Sequence, residues 1–328
     1  LGNVGPNGAS RSIVLLDGVP VNDPFGGWLA WNRFSPENLS GVRIVPQAGV
    51  SPWGTASLGG VISLDSRFLN EAPFVSLETA AGDRLRHEGA FAFAQDSESG
   101  MTRIFGGMQE SDFAGYPVLG KNQRGAVDIR ASSRAQSYDA GIRQSLARNG
   151  EWHLTLRSQG WKEQRNNGTP LTTNSGDALD FSARLSREPG PHDWATETIL
   201  FSQKRRFESL FSSVAADRNS EKPSLDQYAV PAESYGIIER FRIPMGDAHS
   251  IGTGVDFRTT QGVTKEHFRY LGNAFTQERE AGGRQSDAGV YLQDTWTPST
   301  EWQFHGGTRL EWHGESEGHL REWDIQSH

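Results

Sequence analysis

Alternation of apolar and polar side chains, repeated in short segments over most of the chain, is the pattern that most narrows the fold. In 152–160, Trp152, Leu154 and Leu156 alternate with His153, Thr155, Arg157 and Gln159. In 177–186, Leu179, Phe181, Ala183 and Leu185 alternate with Asp180, Ser182, Arg184 and Ser186. In 251–258, Ile251, Val255 and Phe257 face Gly252, Gly254, Asp256 and Arg258, and in 302–312, Trp302, Phe304, Leu310 and Trp312 face Gln303, His305, Arg309 and Glu311. A period of two belongs to a β-strand with one apolar and one charged face. The pattern predicts strands at roughly 74–82, 88–96, 101–110, 135–147, 151–161, 177–187, 194–204, 234–243, 249–260, 285–297 and 301–312.

A soluble sandwich buries such an apolar face against a second sheet; a membrane barrel turns it to lipid. The connections discriminate. Alternate ones are short: Asp96–Gly100, Arg148–Gly150, Glu188–Asp193, Pro244–Ala248 and Pro298–Thr300. The others are mostly long, 111–134, 162–176, 205–233 and 261–284, with only Gly82–His87 short. Tight turns at one end and long polar loops at the other are the asymmetry of an outer-membrane barrel. Trp152, Trp194, Trp296 and Trp302 lie beside the short turns, and Trp161, Trp312 and Tyr235 near the long loops, as two interfacial belts require. Seventeen Phe and ten Trp in a chain of mean hydropathy -0.58 fit the same arrangement, because alternation averages to polar. No apolar run reaches the roughly 18 residues of a transmembrane helix.

There is no cysteine, so thiolate metal sites, disulfides and thiol nucleophiles are excluded. A net charge of -8 argues against a nucleic-acid partner. The chain carries no Gly-x-Ser-x-Gly elbow, no phosphate-binding Gly-Lys-Ser/Thr loop and no His-Glu-x-x-His, so an enzyme is not expected and no cofactor is implied. His305, His313 and His319 with Glu311, Glu315 and Glu317 invite a metal reading, but His305 and Glu311 are read on one strand face with His313 on the other, and no metal is expected. Lys204, Arg205 and Arg206 read as one small basic cluster at the outer end of a strand, suited to lipopolysaccharide phosphates, an anionic ligand or solvent. Inward-facing Arg143, Arg157, Arg184, Asp256, Arg258 and Arg309 are expected to line a lumen and to hydrogen-bond whatever fills it.

The first seventy residues differ. An apolar run, Ile13–Leu16, rises into Asp17-Gly18 and is followed by Val19-Pro20-Val21-Asn22: a strand, a tight turn and a strand. Further strands are expected at 42–45 and 61–66, a turn or short helix near 36–39, and a linker at 67–73. Three stretches, Ile13–Asn22 (IVLLDGVPVN), Ser40–Val45 (SGVRIV) and Trp53–Leu64 (WGTASLGGVISL), resemble in order and spacing the C-terminal half of the plug of a TonB-dependent receptor. The hairpins after them resemble the first half of that family's barrel.

The resemblance implies an all-β fold with a small α/β plug: residues 1–70 as part of a plug, and 71–328 as about half of a transmembrane antiparallel barrel of about 22 strands. It implies a Gram-negative outer-membrane receptor that takes up a scarce ligand, such as a ferric siderophore or cobalamin, by energy-coupled transport. TonB would engage through a plug segment absent from this chain, with outer-membrane lipid and lipopolysaccharide as surroundings. The chain opens mid-pattern at Leu1 and reads as a fragment. Asp23, Phe25, Gly26, Gly27, Trp28 and Trp31 correspond to an apex facing the extracellular side and are the candidate ligand contacts. Two departures bear on plug anchoring: Pro46-Gln47 and Gly5-Pro6 stand where family plugs often have Arg-Gly, whose arginines commonly pair with wall carboxylates. The middle-strand Glu is replaced by Arg43 or Ile44. The competing readings are a soluble β-propeller scaffold, suggested by the 42-residue spacing of Trp152 and Trp194 and by Trp323-Asp324, and a non-transporting barrel receptor or adhesin.

Overall fold

The computed structural model describes residues 12–46, 59–83, 86–146, 151–188 and 193–325. The loop expected at 1–12 lies almost wholly outside them, as do Trp53–Leu58 and the Gly5-Pro6 position.

The N-terminal region forms a four-stranded sheet of β1 (Ser12–Leu16), β2 (Val19–Pro20), β3 (Leu39–Val45) and β4 (Gly60–Ser66), in the order β2-β1-β4-β3. β1 and β2 are antiparallel across the turn at Asp17 (φ 48) and Gly18 (φ 85). Two successive left-handed residues make the tight turn that matches strand twist, which is why Asp-Gly stands there. β1 pairs in parallel with β4, and β3 runs antiparallel to β4. β1 is an unbroken apolar run because both of its faces are covered. Val14 and Leu16 pack with Val21, Ile62 and Leu64 on one side, and Ile13 and Leu15 pack with Val61 on the other. Short 3-10 turns, Trp31–Arg33 and Pro36–Asn38, connect β2 to β3. After β4, the one-turn helix α1 (Arg67–Asn70) buries Phe68 and Leu69 against Ala92, Ala94 and Phe105 of the second sheet.

That second sheet is an antiparallel meander of eleven strands. They are β5 (Phe74–Ala81), β6 (His87–Asp96), β7 (Thr102–Pro117), β8 (Arg130–Ser145), β9 (Trp152–Asn166), β10 (Thr173–Arg187), β11 (Ala195–Val214), β12 (Glu221–Met245), β13 (His249–Leu271), β14 (Ala274–Trp296) and β15 (Phe304–Asp324). Each strand pairs with its sequence neighbour, and the sheet is open, with β5 and β15 at its edges. No four-stranded blades recur, which removes the propeller reading. The N-terminal region, through the small sheet, the connection after β2 and the α1 turn, touches β7 through β13 in succession, so the large sheet curves around it.

All eleven predicted segments are strands, but the long loops are not loops. Of 261–284 only Gly272 and Asn273 remain as a turn, of 205–233 only 215–220, and of 162–176 only 167–172. The 111–134 connection shrinks to 118–129. At about 3.3 Å per residue, the 23 residues of β13 run about 75 Å. A tilted crossing needs only about 9–11 residues, so the hairpins continue as a tall wall beyond the membrane. In those upper halves apolar residues such as Phe207, Leu210, Phe211, Val263 and Phe268 are scattered rather than alternating, so periodicity does not report them as strands.

The apolar face points away from the small sheet. Leu77, Met108, Phe181, Leu200, Val255 and Leu310 are exposed on it, as a lipid-facing band requires. Trp194, Trp296 and Trp302 are exposed beside the short turns, and Tyr235 and Trp312 toward the other end. Trp161 departs from its expected place in the outer belt. It shares the parity of Arg157, faces inward and is buried against Ala30 and Ala178.

Glu239 lies mid-height on the lipid face, between Ile237 and Phe241 and opposite Thr198 and Val255. Its carboxylate accepts bonds from the Thr196 and Thr198 hydroxyls. Carboxylates at this depth cost on the order of 1–2 kcal/mol even when bonded. Thr196 keeps an alternative acceptor in the Arg240 carbonyl, at 3.1 Å. Glu239→Leu is therefore expected to raise the thermal unfolding temperature of the detergent-solubilised receptor; a fall would show that the Thr-Glu-Thr clamp is itself stabilising.

Candidate functional site

The segment 21–35 leaves β2, turns over the top of the small sheet and returns through two 3-10 turns. Its shape is set at Asn22 and Asp23. The Asn22 side chain takes the Val14 N–H at 2.7 Å and donates to the Ser12 and Gly27 carbonyls. Asp23 accepts the N–H groups of Phe25 (3.0 Å) and Gly26 (2.6 Å), an Asx turn, while Gly27 at φ 71 reverses the chain. Asp23 is buried, which pushes its carboxyl upward; the Gly26 bond and the Arg205 charge oppose that.

This turn carries the aromatic residues to different fates. Trp28 is half-buried, 5.3 Å from Phe207 of β11 and 6.2 Å from Trp161 of β9. The Phe25 ring lies on Gly262 of β13, where a Cβ would come within 2.3 Å of it, so glycine is needed at that position. Phe25 nevertheless remains 41% exposed and Trp31 53% exposed. Gly262 stands beyond the lipid-facing band, so the apex lies on the side of the tall hairpins.

Beneath the apex the two sheets are joined by buried ionic contacts that periodicity did not foretell. Arg33 of the small domain and Arg205 of β11 share Asp180 of β10, with side-chain exposures of 5%, 4% and 8%. Arg33 lies 2.7 Å from Asp180, and its burial lowers its proton affinity while Asp180 opposes the change. Arg157 of β9 is gripped by Asp17, at the β1–β2 turn, and by Asp139 of β8. Asp17 also receives the Ser66 N–H and hydroxyl, tying the end of β4 to the same point. Asn32 donates to Glu163 and accepts the Trp161 indole N–H at 3.2 Å. Gln203 donates to the Pro20 carbonyl at 2.9 Å.

The anchoring left open by Pro46-Gln47 is thus supplied elsewhere. One contact reverses the expected polarity, with the carboxylate (Asp17) on the small sheet and the cation (Arg157) on the wall. Among the lumen-facing residues expected from parity, Arg143 reaches the Leu69 carbonyl and Glu188, Arg184 pairs with Glu197, and Arg309 with Asp256. Arg258 donates to Ser234. His313 shares the face of His305 and Glu311, contrary to the sequence reading, because β15 runs without a bulge from Phe304 to Ser316. It binds Asp287 at 2.7 Å and Glu315 at 3.3 Å, and among the described residues no group of three or more metal-ligating side chains converges.

At the rim, the 118–129 connection is clasped to the β11–β12 turn. Arg218 grips Asp128 with two nitrogens, and the Val127 N–H reaches the Arg218 carbonyl at 3.1 Å. The Arg218 guanidinium, helped by the Gly125 N–H, holds the Asp128 carboxyl down at about 2.

Residues 78–323 match the family described as TonB dependent receptor-like, beta-barrel. The chain belongs to that family. Its members are transporters of the Gram-negative outer membrane rather than enzymes, and the outer membrane is where this chain is placed. Solved receptors share the fold at low identity. The pyoverdine outer membrane receptor FpvA from Pseudomonas aeruginosa, bound to pyoverdine, aligns with a TM-score of 0.74 at 13% identity, over 95% of this chain and 51% of its own. The ferric yersiniabactin uptake receptor FyuA from Yersinia pestis gives 0.69 at 14%, over 95% and 52%. The ferric-catecholate import receptor Fiu from E. coli K12 gives 0.67 at 11%, over 95% and 58%. The TonB-dependent receptor chain therefore spans about half the length of the receptors it matches. No match was found among curated proteins.

Proposed function

We propose that this TonB-dependent receptor captures a scarce small molecule, such as a ferric siderophore or cobalamin, at the apex Asp23–Trp31 and passes it inward by TonB-coupled movement of the plug. In this reading residues 1–70 belong to the plug and 71–328 to the barrel. Phe25 and Trp31 are the contact residues, Asp23, Gly26 and Gly27 hold the turn that presents them, and Trp28 anchors the turn to the wall.

The observation that carries the reading is a pair of exposed aromatic side chains, Phe25 on the turn closed by the Asp23 carboxylate and Trp31 at the start of the 3-10 turn that follows. Aromatic groups held out on a rigid support are good ligand anchors, because little conformational freedom is lost on binding. The names of the solved relatives, an uptake and an import receptor for iron chelates, point the same way.

The test is binding of hydroxamate, catecholate and hydroxycarboxylate iron chelates and of cobalamin to cells expressing the full-length receptor. One of these is expected to bind, and the double variant Phe25→Ala/Trp31→Ala to weaken it at least tenfold, the equivalent of about 1.4 kcal/mol. Unchanged affinity at equal surface expression removes the apex from the site.

A further inference from the structure

Lys204, Arg205 and Arg206 are adjacent in sequence, yet the strand register divides them. Arg205 turns inward and is bound to Asp180. Lys204 and Arg206 face outward and are exposed. On β10, Asp177 stands opposite Arg206 on one side and opposite Lys162 of β9 on the other. Lys162, 42 positions earlier than Lys204, therefore joins the same outward row, and it too is exposed.

The row has a definite depth. Lys204 stands level with Leu179 of β10, one same-face step below Arg206 toward the short turns; one step further lie Ser202 and Phe181, and Ser202 is opposite the outward Tyr235 of β12. Tyr235 marks the upper edge of the lipid-facing band, where aromatic rings settle at the interface. The cations thus stand at the level of the outer-leaflet headgroups. Their long stems can lie along apolar surface while the charge stays in the polar layer. Lys204 is 3.1 Å from Glu233, both half-exposed. Among the described residues Lys162 and Arg206 make no ion pair within 4 Å, and the single carboxylate between them, Asp177, holds neither.

We propose that Lys162, Lys204 and Arg206 form an outward-facing site for the phosphorylated headgroup of an outer-leaflet lipid. The Arg206 guanidinium offers a planar fork that matches two phosphate oxygens, and the two lysines add charges on either side. At the lipid surface such charges are worth more than in bulk water, since each cation gains from the surface potential of an anionic leaflet. A bound headgroup at this height would brace β9 to β11, the strands that carry Arg157, Asp180 and Arg205.

The experiment is native mass spectrometry of the full-length receptor in a mild non-ionic detergent, with bisphosphorylated lipid A or its dephosphorylated form added. The receptor is expected to retain the bisphosphorylated lipid about tenfold better than Lys162→Gln/Arg206→Gln does. The charge-conserving variant Lys162→Arg, which leaves the Arg206 fork in place, is expected to keep the retention of the unaltered receptor. Equal retention of the two lipids, equal retention by the glutamine variant, or loss of retention in Lys162→Arg would each overturn the site. All three side chains are exposed, and a heat-modifiability gel confirms that the variants are folded.

Discussion

Replacing Arg157 with leucine is expected to free the β1–β2 turn from the wall and to destabilise the small sheet strongly. The guanidinium is 7% exposed and serves two carboxylates, Asp17 at 8% and Asp139 at 13%. Its loss leaves two buried anions facing each other. Breaking a buried ion pair from one side costs about 3–5 kcal/mol, because the remaining charge keeps its desolvation cost without its partner. Asp17 also holds the Ser66 N–H at 2.9 Å, so the disturbance spreads to the end of β4 and to α1. Hydrogen exchange of β1 and β2 in the full-length receptor should rise by a factor of 100 or more, since about 1.4 kcal/mol is tenfold. The control is Asp17→Asn/Asp139→Asn/Arg157→Leu, in which no charge is left behind; it is expected to recover most of the protection. If Arg157→Leu alone leaves β1 exchange unchanged, the small sheet is held by its apolar contacts and the ionic grip is incidental.

The second large effect is expected from Asp180→Asn. Asp180 neutralises Arg33 and Arg205, and both arginines are more deeply buried than it is. With asparagine there, two cations face each other in a site with little water. The cost is again about 3–5 kcal/mol, but it falls on a different part of the N-terminal region. Arg33 also reaches the Val21 carbonyl, so the segment that loosens is 21–35, the apex itself. Asp180→Asn is expected to weaken ligand capture while β1 stays protected, whereas Arg157→Leu should loosen β1 first. Adding Arg205→Gln to Asp180→Asn restores the charge balance and should return most of the affinity. Loss of β1 protection in Asp180→Asn would show that the two ionic contacts act as a single unit.

Much of the fold was legible from local pattern. The eleven membrane strands appear because each carries apolar and polar residues on opposite faces, which leaves a period of two in the sequence. The Asp17-Gly18 turn appears because left-handed residues are costly for most side chains. The upper walls were not legible. In β13, residues 261–271 are strand because neighbours on both sides complete their hydrogen bonds, and no apolar face marks them. Trp161 shows a second limit. Its parity with Arg157 placed it inside, but an aromatic residue beside a predicted loop suits an interfacial belt equally well, and only Trp28 and Ala30 packing against it decide the matter.

The candidate site divides in the same way. Sequence by itself determined that a turn rich in glycine and aromatic residues follows β2, that Arg157 and Asp180 point inward, and that the apolar face of the large sheet meets lipid. These are properties of single segments, carried by neighbours two to five positions apart. Only the tertiary structure decided what each inward charge meets. Arg33 and Asp180 are 147 positions apart, and Asp17 and Arg157 are 140. It also decided that Arg205 belongs to the lumen while Arg206 belongs to the outer surface, and that Gly262 is the seat of Phe25. Pairing at such separations depends on how the small sheet sits inside the large one, and a buried charge finds its partner only once that packing has removed the water that would otherwise have served it.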